Sequence, residues 1–184
     1  MTGPNNLRKY QVSKAIRLES VSKDEQIEQV VELASIIWTE HYTPIIGSAQ
    51  VAYMLKNIQS FDAIKNELEN PSVRYFLIVY KEETIGYIGI KLDKSQLFLS
   101  KIYILSSARG LGAGKKTLDL IKEIALSEKL GQIYLTVNKH NTGTIAAYQK
   151  LGFEIIEELC ADIGEGFVMD DYKMRLPLQN AGCA

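Results

Sequence analysis

A strand-length apolar run over residues 96–105 (Gln-Leu-Phe-Leu-Ser-Lys-Ile-Tyr-Ile-Leu) leads directly into Ser-Ser-Ala-Arg-Gly-Leu-Gly-Ala-Gly-Lys-Lys over residues 106–116. Leu118, Ile121, Ile124 and Ala125 then recur at helical spacing. β-branched, aromatic and aliphatic side chains favour the first segment as a strand, and the recurrence gives the second a helix with one buried stripe. Gly110, Gly112 and Gly114 therefore occupy a strand-to-helix turn. Without a Cβ the backbone there bends sharply and lies flush against a ligand, while the opening turn of the helix offers N–H groups that have no intrahelical acceptor. Such a turn favours a phosphate or pyrophosphate, through those donors, the positive end of the helix dipole and the charges of Arg109, Lys115 and Lys116. The plain alternative is a glycine-rich connector carrying solvated basic residues.

Spacing excludes two familiar phosphate loops. A P-loop requires Gly, four residues and then Gly-Lys-Ser/Thr, but its first position would be Arg109 and its last is Lys116. A dinucleotide fingerprint starting at Gly110 would place its third glycine at Lys115. Residues 109–114 do match Arg-x-x-Gly-x-Gly, and this resembles the acetyl-CoA pyrophosphate loop of the GNAT superfamily of N-acetyltransferases. A second segment, residues 137–153, resembles the other hallmark of that superfamily, Asn-x-x-Ala-x-x-x-Tyr-x-x-x-Gly-Phe, with Asn141, Tyr148, Gly152 and Phe153 in place and Thr144 where Ala is usual. The likeness runs over nearly the whole chain, and the aromatic strands around 75–88 together with the ending at 166–172 are similar to bacterial spermine/spermidine N-acetyltransferases.

The resemblance implies an α/β fold: a mixed, mostly antiparallel sheet of about seven strands flanked by helices. The strands at 97–105 and 132–137 would start parallel and splay apart to hold acetyl-CoA. It also implies a division of labour. The pyrophosphate falls to Arg109, Gly110, Leu111, Gly112, Ala113, Gly114 and Lys115, the pantetheine arm to the backbone of Ile102, Tyr103 and Ile104, and further contacts to Asn141 and Tyr148.

Length and composition agree with one domain: 184 residues, 46% hydrophobic and 23% charged, suffice for an ample core. A net charge of −1 gives no basic face for nucleic acid. Two Cys and two His leave little for a disulfide framework or a metal site, so the expectation is a reduced, cytoplasmic protein without a metal. No apolar run approaches membrane-spanning length. The expected organisation is a flexible leader over 1–14, one domain over 15–178 and a flexible tail over 179–184, with a homodimer left open. Ser22-Lys-Asp-Glu25 reads as a capping box opening a helix whose stripe is Ile27, Val30, Val31, Ala34, Ile37 and Trp38. Pro44 and Gly47 break that helix, and two shorter helices over 48–58 and 61–68, the latter capped by Ser60, wall a substrate pocket. Residues 74–91 read as a hairpin, 132–137 as a strand, 141–151 as a helix ending at Gly152, and 153–158 and 167–176 as the last two strands.

Amine acetylation needs a neutral amine, a donor for the oxyanion and an acid for the departing thiolate. A backbone N–H near Ile104 suits the oxyanion. The resemblance assigns the acid to Tyr148, whose alternative role is packing, and Asn141 either bonds the pantetheine or caps its helix. Many GNAT enzymes carry a Glu base on the strand before the glycine loop, whereas the candidate positions here hold Phe98 and Ser100. Glu40 and His41 are the replacements, His41 having a suitable ordinary pKa. Asp170 and Asp171 are placed to attract a cationic amine, with at most one facing inward because successive strand residues alternate. The chain thus reads as an acetyltransferase for a primary amine of a small molecule, a polyamine first. An amino acid, an antibiotic, a protein amine, or a regulator that binds acyl-CoA without turnover are the alternatives.

Overall fold

The computed structural model describes residues 16–178, so the expected leader and tail lie outside the described residues. In chain order the elements are β1 (Arg17–Ser20), α1 (Asp24–His41), α2 (Thr43–Ile46), α3 (Ser48–Asn57), α4 (Phe61–Leu68), β2 (Val73–Tyr80) and β3 (Glu83–Leu92). β4 (Gln96–Ile104), a single 3-10 turn (Ser106–Ala108), α5 (Ala113–Ser127), β5 (Gln132–Asn138), α6 (Thr142–Lys150), β6 (Glu154–Gly164) and β7 (Phe167–Pro177) complete it. The strands form one seven-stranded sheet in the order β1-β2-β3-β4-β5-β7-β6. Every neighbouring pair is antiparallel except β4 and β5, which α5 joins as a crossover.

Two apolar layers cover the sheet. Leu118, Ile121 and Ala125 of α5 and Ile145 of α6 pack on one face against Ile88, Ile90, Leu97, Leu99, Ile133 and Leu135. On the other, Ile27, Val30, Ala34, Ile37 and Trp38 of α1, with Val51, Met54 and Ile64, cover Tyr75, Leu77, Val79 and Tyr87. The stripe expected on α1 is this buried face, with Leu33 buried and Val31 only partly so.

The feature that positions the site is the short β4–β5 ladder. Only Gln96, Leu97 and Phe98 pair with Gln132, Ile133 and Tyr134; beyond them the strands part. On its other edge β4 slips register: Lys101 opposes Gly89 and Leu99 opposes Ile90, which leaves Ser100 as an extra residue. A bulge bends its strand and raises local twist, turning the second half of β4 away from β5. It also exchanges faces, so Leu99 lies in the α5 layer while Lys101, which pairs with Glu67 at 3.0 Å, lies in the α4 layer.

Opposite that bend, Gly86 touches the β4 backbone. A Cβ there would collide with the Tyr103 carbonyl oxygen and sit 3.0 Å from Ile104 Cα. Gly86→Ala is expected to cost about 2 to 3 kcal/mol of stability, as overpacking against atoms that cannot rotate away does. Urea unfolding measures it, and a cost under about 1 kcal/mol would show that β4 yields at this point.

Several boundaries differ from the sequence reading. Lys23, not Ser22, occupies the N-cap of α1, and the cap is made in one direction only: Gln26 Oε1 accepts from the N–H groups of Ser22 (2.9 Å) and Lys23 (3.1 Å). Pro44 does not simply break the helix but opens the short α2, where its missing N–H costs nothing. The β2–β3 turn contracts to Lys81 and Glu82, both at positive φ (49° and 65°), as a two-residue hairpin requires. β6 runs on through the segment expected as a connection, and turns only at Glu165 and Gly166. Ser60 caps α4 as expected, accepting from Ala63 N–H at 3.3 Å.

Candidate active site

Where β4 and β5 part, a cleft of about 670 Å³ opens between them, bordered by the glycine turn, the end of α1 and the start of α6. The local backbone explains the turn. Gly110 (φ 80°) and Gly112 (φ 71°) both adopt the left-handed conformation that favours glycine, and Gly112 is the N-cap of α5. Lys116 N–H is the first of the helix to find its carbonyl, Gly112 O at 3.0 Å. The N–H groups of Ala113, Gly114 and Lys115 belong to the opening turn and have no carbonyl within the helix to bond. Arg109, Lys115 and Lys116 add like charge at the positive end of the dipole, an arrangement that an anion relieves.

One wall is the free edge of β4. Leu105 N–H donates to Ile85 O at 2.9 Å, and the Tyr103 carbonyl faces Gly86. With a period of two along a strand, the backbone groups of Ile102 and Ile104 therefore point the other way, into the gap. This corrects the expectation for Tyr103. Its backbone is turned to β3, while its ring packs against Trp38, Tyr42 and Tyr87.

That ring belongs to an aromatic cluster at the α1 end. Trp38 stacks on Tyr42 (4.5 Å), and Tyr103 meets Trp38 (5.4 Å), Tyr42 (6.0 Å) and Tyr87 (5.3 Å). Burial pushes the Tyr42 phenol up to about 12, against the opposing pull of the Tyr103 and Asn141 side chains that face it. Tyr42 and Thr136 line the cleft and were missed in the sequence. The available signal was the Trp38–Tyr42 pair one helical turn apart at the end of α1, adjoining His41.

His41 lines the cleft between two distant segments: its Nδ1 is 3.4 Å from Arg109 Nη2 and its Nε2 is 3.2 Å from the Asn141 side-chain amide. Burial and the Arg109 charge lower its pKa, while Asn141 and Glu40 act in the opposite direction. Asn141 is buried at the N-cap of α6 but makes no side-chain cap, so its amide is committed to the cleft and not to its helix. Tyr148, on α6, has its ring 5.3 Å from Phe153. Burial, then the neighbouring Tyr42 phenol, push its own phenol well above the ordinary tyrosine value, so it holds its proton at neutral pH.

Of the residues singled out in the sequence, Ile102, Tyr103, Ile104, Arg109, Gly110, Gly112, Ala113, Gly114, Lys115, Asn141, Tyr148 and His41 all line the cleft. Leu111 does not: its side chain is 54% exposed on the outer side of the turn. Glu40 is exposed and also outside the lining, one position round the helix from His41. The two aspartates divide as strand alternation demands. Asp170 is held by Lys139 at 2.6 Å, whereas Asp171 is buried on the Tyr42 side. Burial raises the Asp171 pKa, and the Thr136 hydroxyl facing it and Lys139 pull it down. The strand positions examined for a base are otherwise engaged: Phe98 stacks on Tyr134 at 4.7 Å and Ser100 Oγ donates to Gly89 O at 3.0 Å. Among the described residues no three His, Cys, Asp or Glu side chains are grouped to hold a metal ion, and no helix is long and apolar enough to cross a membrane.

Comparison with known proteins agrees with this geometry. The chain is 36% identical over 88 residues to N-alpha-acetyltransferase 50 of Danio rerio, a match covering 44% of this chain and 51% of that protein. It is 28% identical over 102 residues to the N-acetyltransferase YjgM of Escherichia coli K12, covering 53% of this chain and 61% of the relative. The matches thus span about half to three-fifths of these curated relatives. Among solved structures, PaiA N-acetyltransferase of Thermoplasma acidophilum in complex with coenzyme A superposes with a TM-score of 0.74 at 20% identity, covering 89% of this chain and 99% of that one. The ribosomal-protein-S18-alanine N-acetyltransferase of Escherichia coli gives 0.68 at 15% identity, covering 91% and 96%. At such identities these two likenesses show the fold alone. The profile of the acetyltransferase (GNAT) family, however, matches residues 30–153, which hold the bulged strand, the glycine turn and the Asn141–Tyr148 helix, and the chain belongs to that family.

Proposed function

We propose that the chain transfers the acetyl group of acetyl-CoA to a primary amine of a small molecule, with a polyamine as the acceptor class. The observation that carries this reading is the cleft itself, which combines a glycine turn opening α5, an unpaired strand edge along β4, and an aromatic cluster at the end of α1 with Asp171 buried behind it. The pyrophosphate sits on the N–H groups of residues 112–115 with Arg109, and the pantetheine amides pair with Ile102 and Ile104 as a strand would. The thioester then lies between Ile104 and Tyr148. Ile104 N–H donates to the developing oxyanion, the Tyr148 phenol gives its proton to the departing thiolate, and the second proton shed by the acylated nitrogen restores the phenol, directly or through water. His41 is the base. An alkyl ammonium of pKa ~10.4 must lose a proton, which costs roughly 4 to 5 kcal/mol at neutral pH. We place the reaction in a reducing, cytoplasmic compartment, which suits the exposed free thiol of Cys160.

The acceptor reading rests on charge. Asp170 is paired to Lys139, and neither Glu40 nor Asp171 is among the cleft-lining residues; Asp171 is the carboxylate buried just behind the lining, against the Tyr42 and Thr136 side chains, and from there it draws a cationic amine. Asp171→Asn is expected to raise the acceptor KM about 10-fold or more, the ~1.5 kcal/mol of a charge-assisted hydrogen bond, with acetyl-CoA affinity unchanged. Free-thiol release from acetyl-CoA across a panel of di- and polyamines, amino acids and peptides tests both points. Turnover confined to peptides or amino acids would overturn the polyamine reading, as would an Asp171→Asn enzyme with normal KM. The engaged Phe98 and Ser100 favour one second reading, a regulator that binds acyl-CoA without turnover; binding with no thiol release on any amine is its signature.

A further inference from the structure

His41 is the last residue of α1, and it joins the glycine turn to the start of α6. Arg109 Nη2 lies 3.4 Å from Nδ1 and the Asn141 amide 3.2 Å from Nε2. A guanidinium only donates, so Nδ1 must accept and carries no proton. The imidazole proton then resides on Nε2; the structure sets Asn141 Nδ2 3.2 Å from it, and a half-turn of that amide, whose two ends are alike in shape, brings its oxygen there to accept. An imidazolium in this position would set an N–H against the guanidinium, two donors and two positive charges face to face. With its Nδ1 lone pair occupied by Arg109, His41 cannot serve as a base.

Arg109 has a stronger claimant. A pyrophosphate offers charged oxygens to the guanidinium fork, and such bonds are roughly twice as strong as one to a neutral acceptor. We propose that the Arg109–His41 contact is a switch thrown by the cosubstrate: a pyrophosphate on the glycine turn withdraws Arg109, and the freed Nδ1 takes the proton of the acceptor amine. In that step an N–H bond of the ammonium breaks, its electron pair stays on nitrogen, and the proton bonds to Nδ1. The products are a neutral amine and an imidazolium whose Nε2–H still donates to Asn141; the proton passes to water after acetyl transfer. Acceptor deprotonation is thereby confined to the loaded enzyme, which protects the order acetyl-CoA first, amine second. The charged and titratable groups around the ring are Arg109 from the turn, Glu40 on its own helix and Tyr42, whose ring lies 4.9 Å away, with Asp171 of β7 beyond Tyr42. This inference rests on the glycine turn being the acetyl-CoA site.

The chain has two histidines, His41 and the exposed His140, so imidazole nitrogen spectra are readily assigned with a His140→Gln variant. Long-range proton–nitrogen spectra recorded against pH should show His41 in the Nε2–H form with a depressed midpoint in the free protein. Saturating coenzyme A should move that midpoint upward. In Arg109→Gln the midpoint should be raised already and no longer respond. His41→Gln should lower kcat with the KM for acetyl-CoA unchanged. Calorimetry on the same samples separates the two ideas. Coenzyme A that binds without moving the His41 midpoint overturns the switch alone, whereas coenzyme A that does not bind overturns the site reading and the switch together.

Discussion

Tyr148→Phe is expected to lower kcat about 10²- to 10⁴-fold while acetyl-CoA affinity and the melting temperature stay close to those of the parent. The reason is geometric and electrostatic. The Tyr148 ring packs beside Phe153 at 5.3 Å, and phenylalanine fills the same volume, so packing is preserved. The hydroxyl, lining the splay and raised in pKa by burial, is protonated throughout the working pH range, and its removal deprives the thiolate of its donor. A thiolate, with an ordinary pKa near ~8.5, leaves far more readily when a hydrogen-bond donor meets it as charge develops. If Tyr148 merely packs, the pattern reverses: Tyr148→Phe turns over normally, and only Tyr148→Ala loses several kcal/mol of stability, about 3 to 5 as for a large buried ring. Steady-state kinetics and thermal melts of the three proteins decide between the two.

The parts of this site that were legible in the sequence are those whose function is tied to local backbone. Gly112 sits at a left-handed N-cap, Asn141 begins a helix after a strand, and Tyr148 follows at a fixed helical offset, so local spacing placed each on its element and the resemblance to the family motifs supplied its role. Leu111, in the same turn, has an exposed side chain outside the cleft lining, so only its backbone is available to a ligand there. Tyr42, marked only by its spacing from Trp38, and Thr136, marked by nothing local, were missed for a different reason. They lie on distant segments, the end of α1 and β5, and border one cleft only in the folded chain; the bulge at Ser100 that bends β4 was hidden too, since a lone serine in an apolar strand announces none. The length of β6 was hidden because that strand lies at the sheet edge with almost every residue exposed, so no buried alternation marks it. The Ser22 cap failed by one residue, since the side chain that binds the free N–H groups is Gln26. The role of Arg109 on His41 joins positions 68 residues apart, a separation no local pattern reports.

The central claim is that acetyl-CoA lies in the splay of β4 and β5 with its pyrophosphate on the glycine turn, and Gly112 tests it most directly. Gly112 sits at φ 71°, and a Cβ built on it meets no protein atom within 4 Å. A side chain there is strained by about 1 to 2 kcal/mol through the left-handed backbone, but it strikes nothing in the protein; the space it fills is the approach to the N–H groups of α5. Gly112→Ala carries the left-handed strain with the least bulk, and Gly112→Val adds bulk together with the larger left-handed penalty of a β-branched residue, so the melting temperature of each variant separates strain from obstruction. Calorimetric titration with acetyl-CoA is expected to show binding to the parent, a weakening in Gly112→Ala, and a loss of about 100-fold, or ~2.7 kcal/mol, in Gly112→Val. A parent that does not bind acetyl-CoA, or a Gly112→Val protein that binds it as tightly as the parent, would contradict the account.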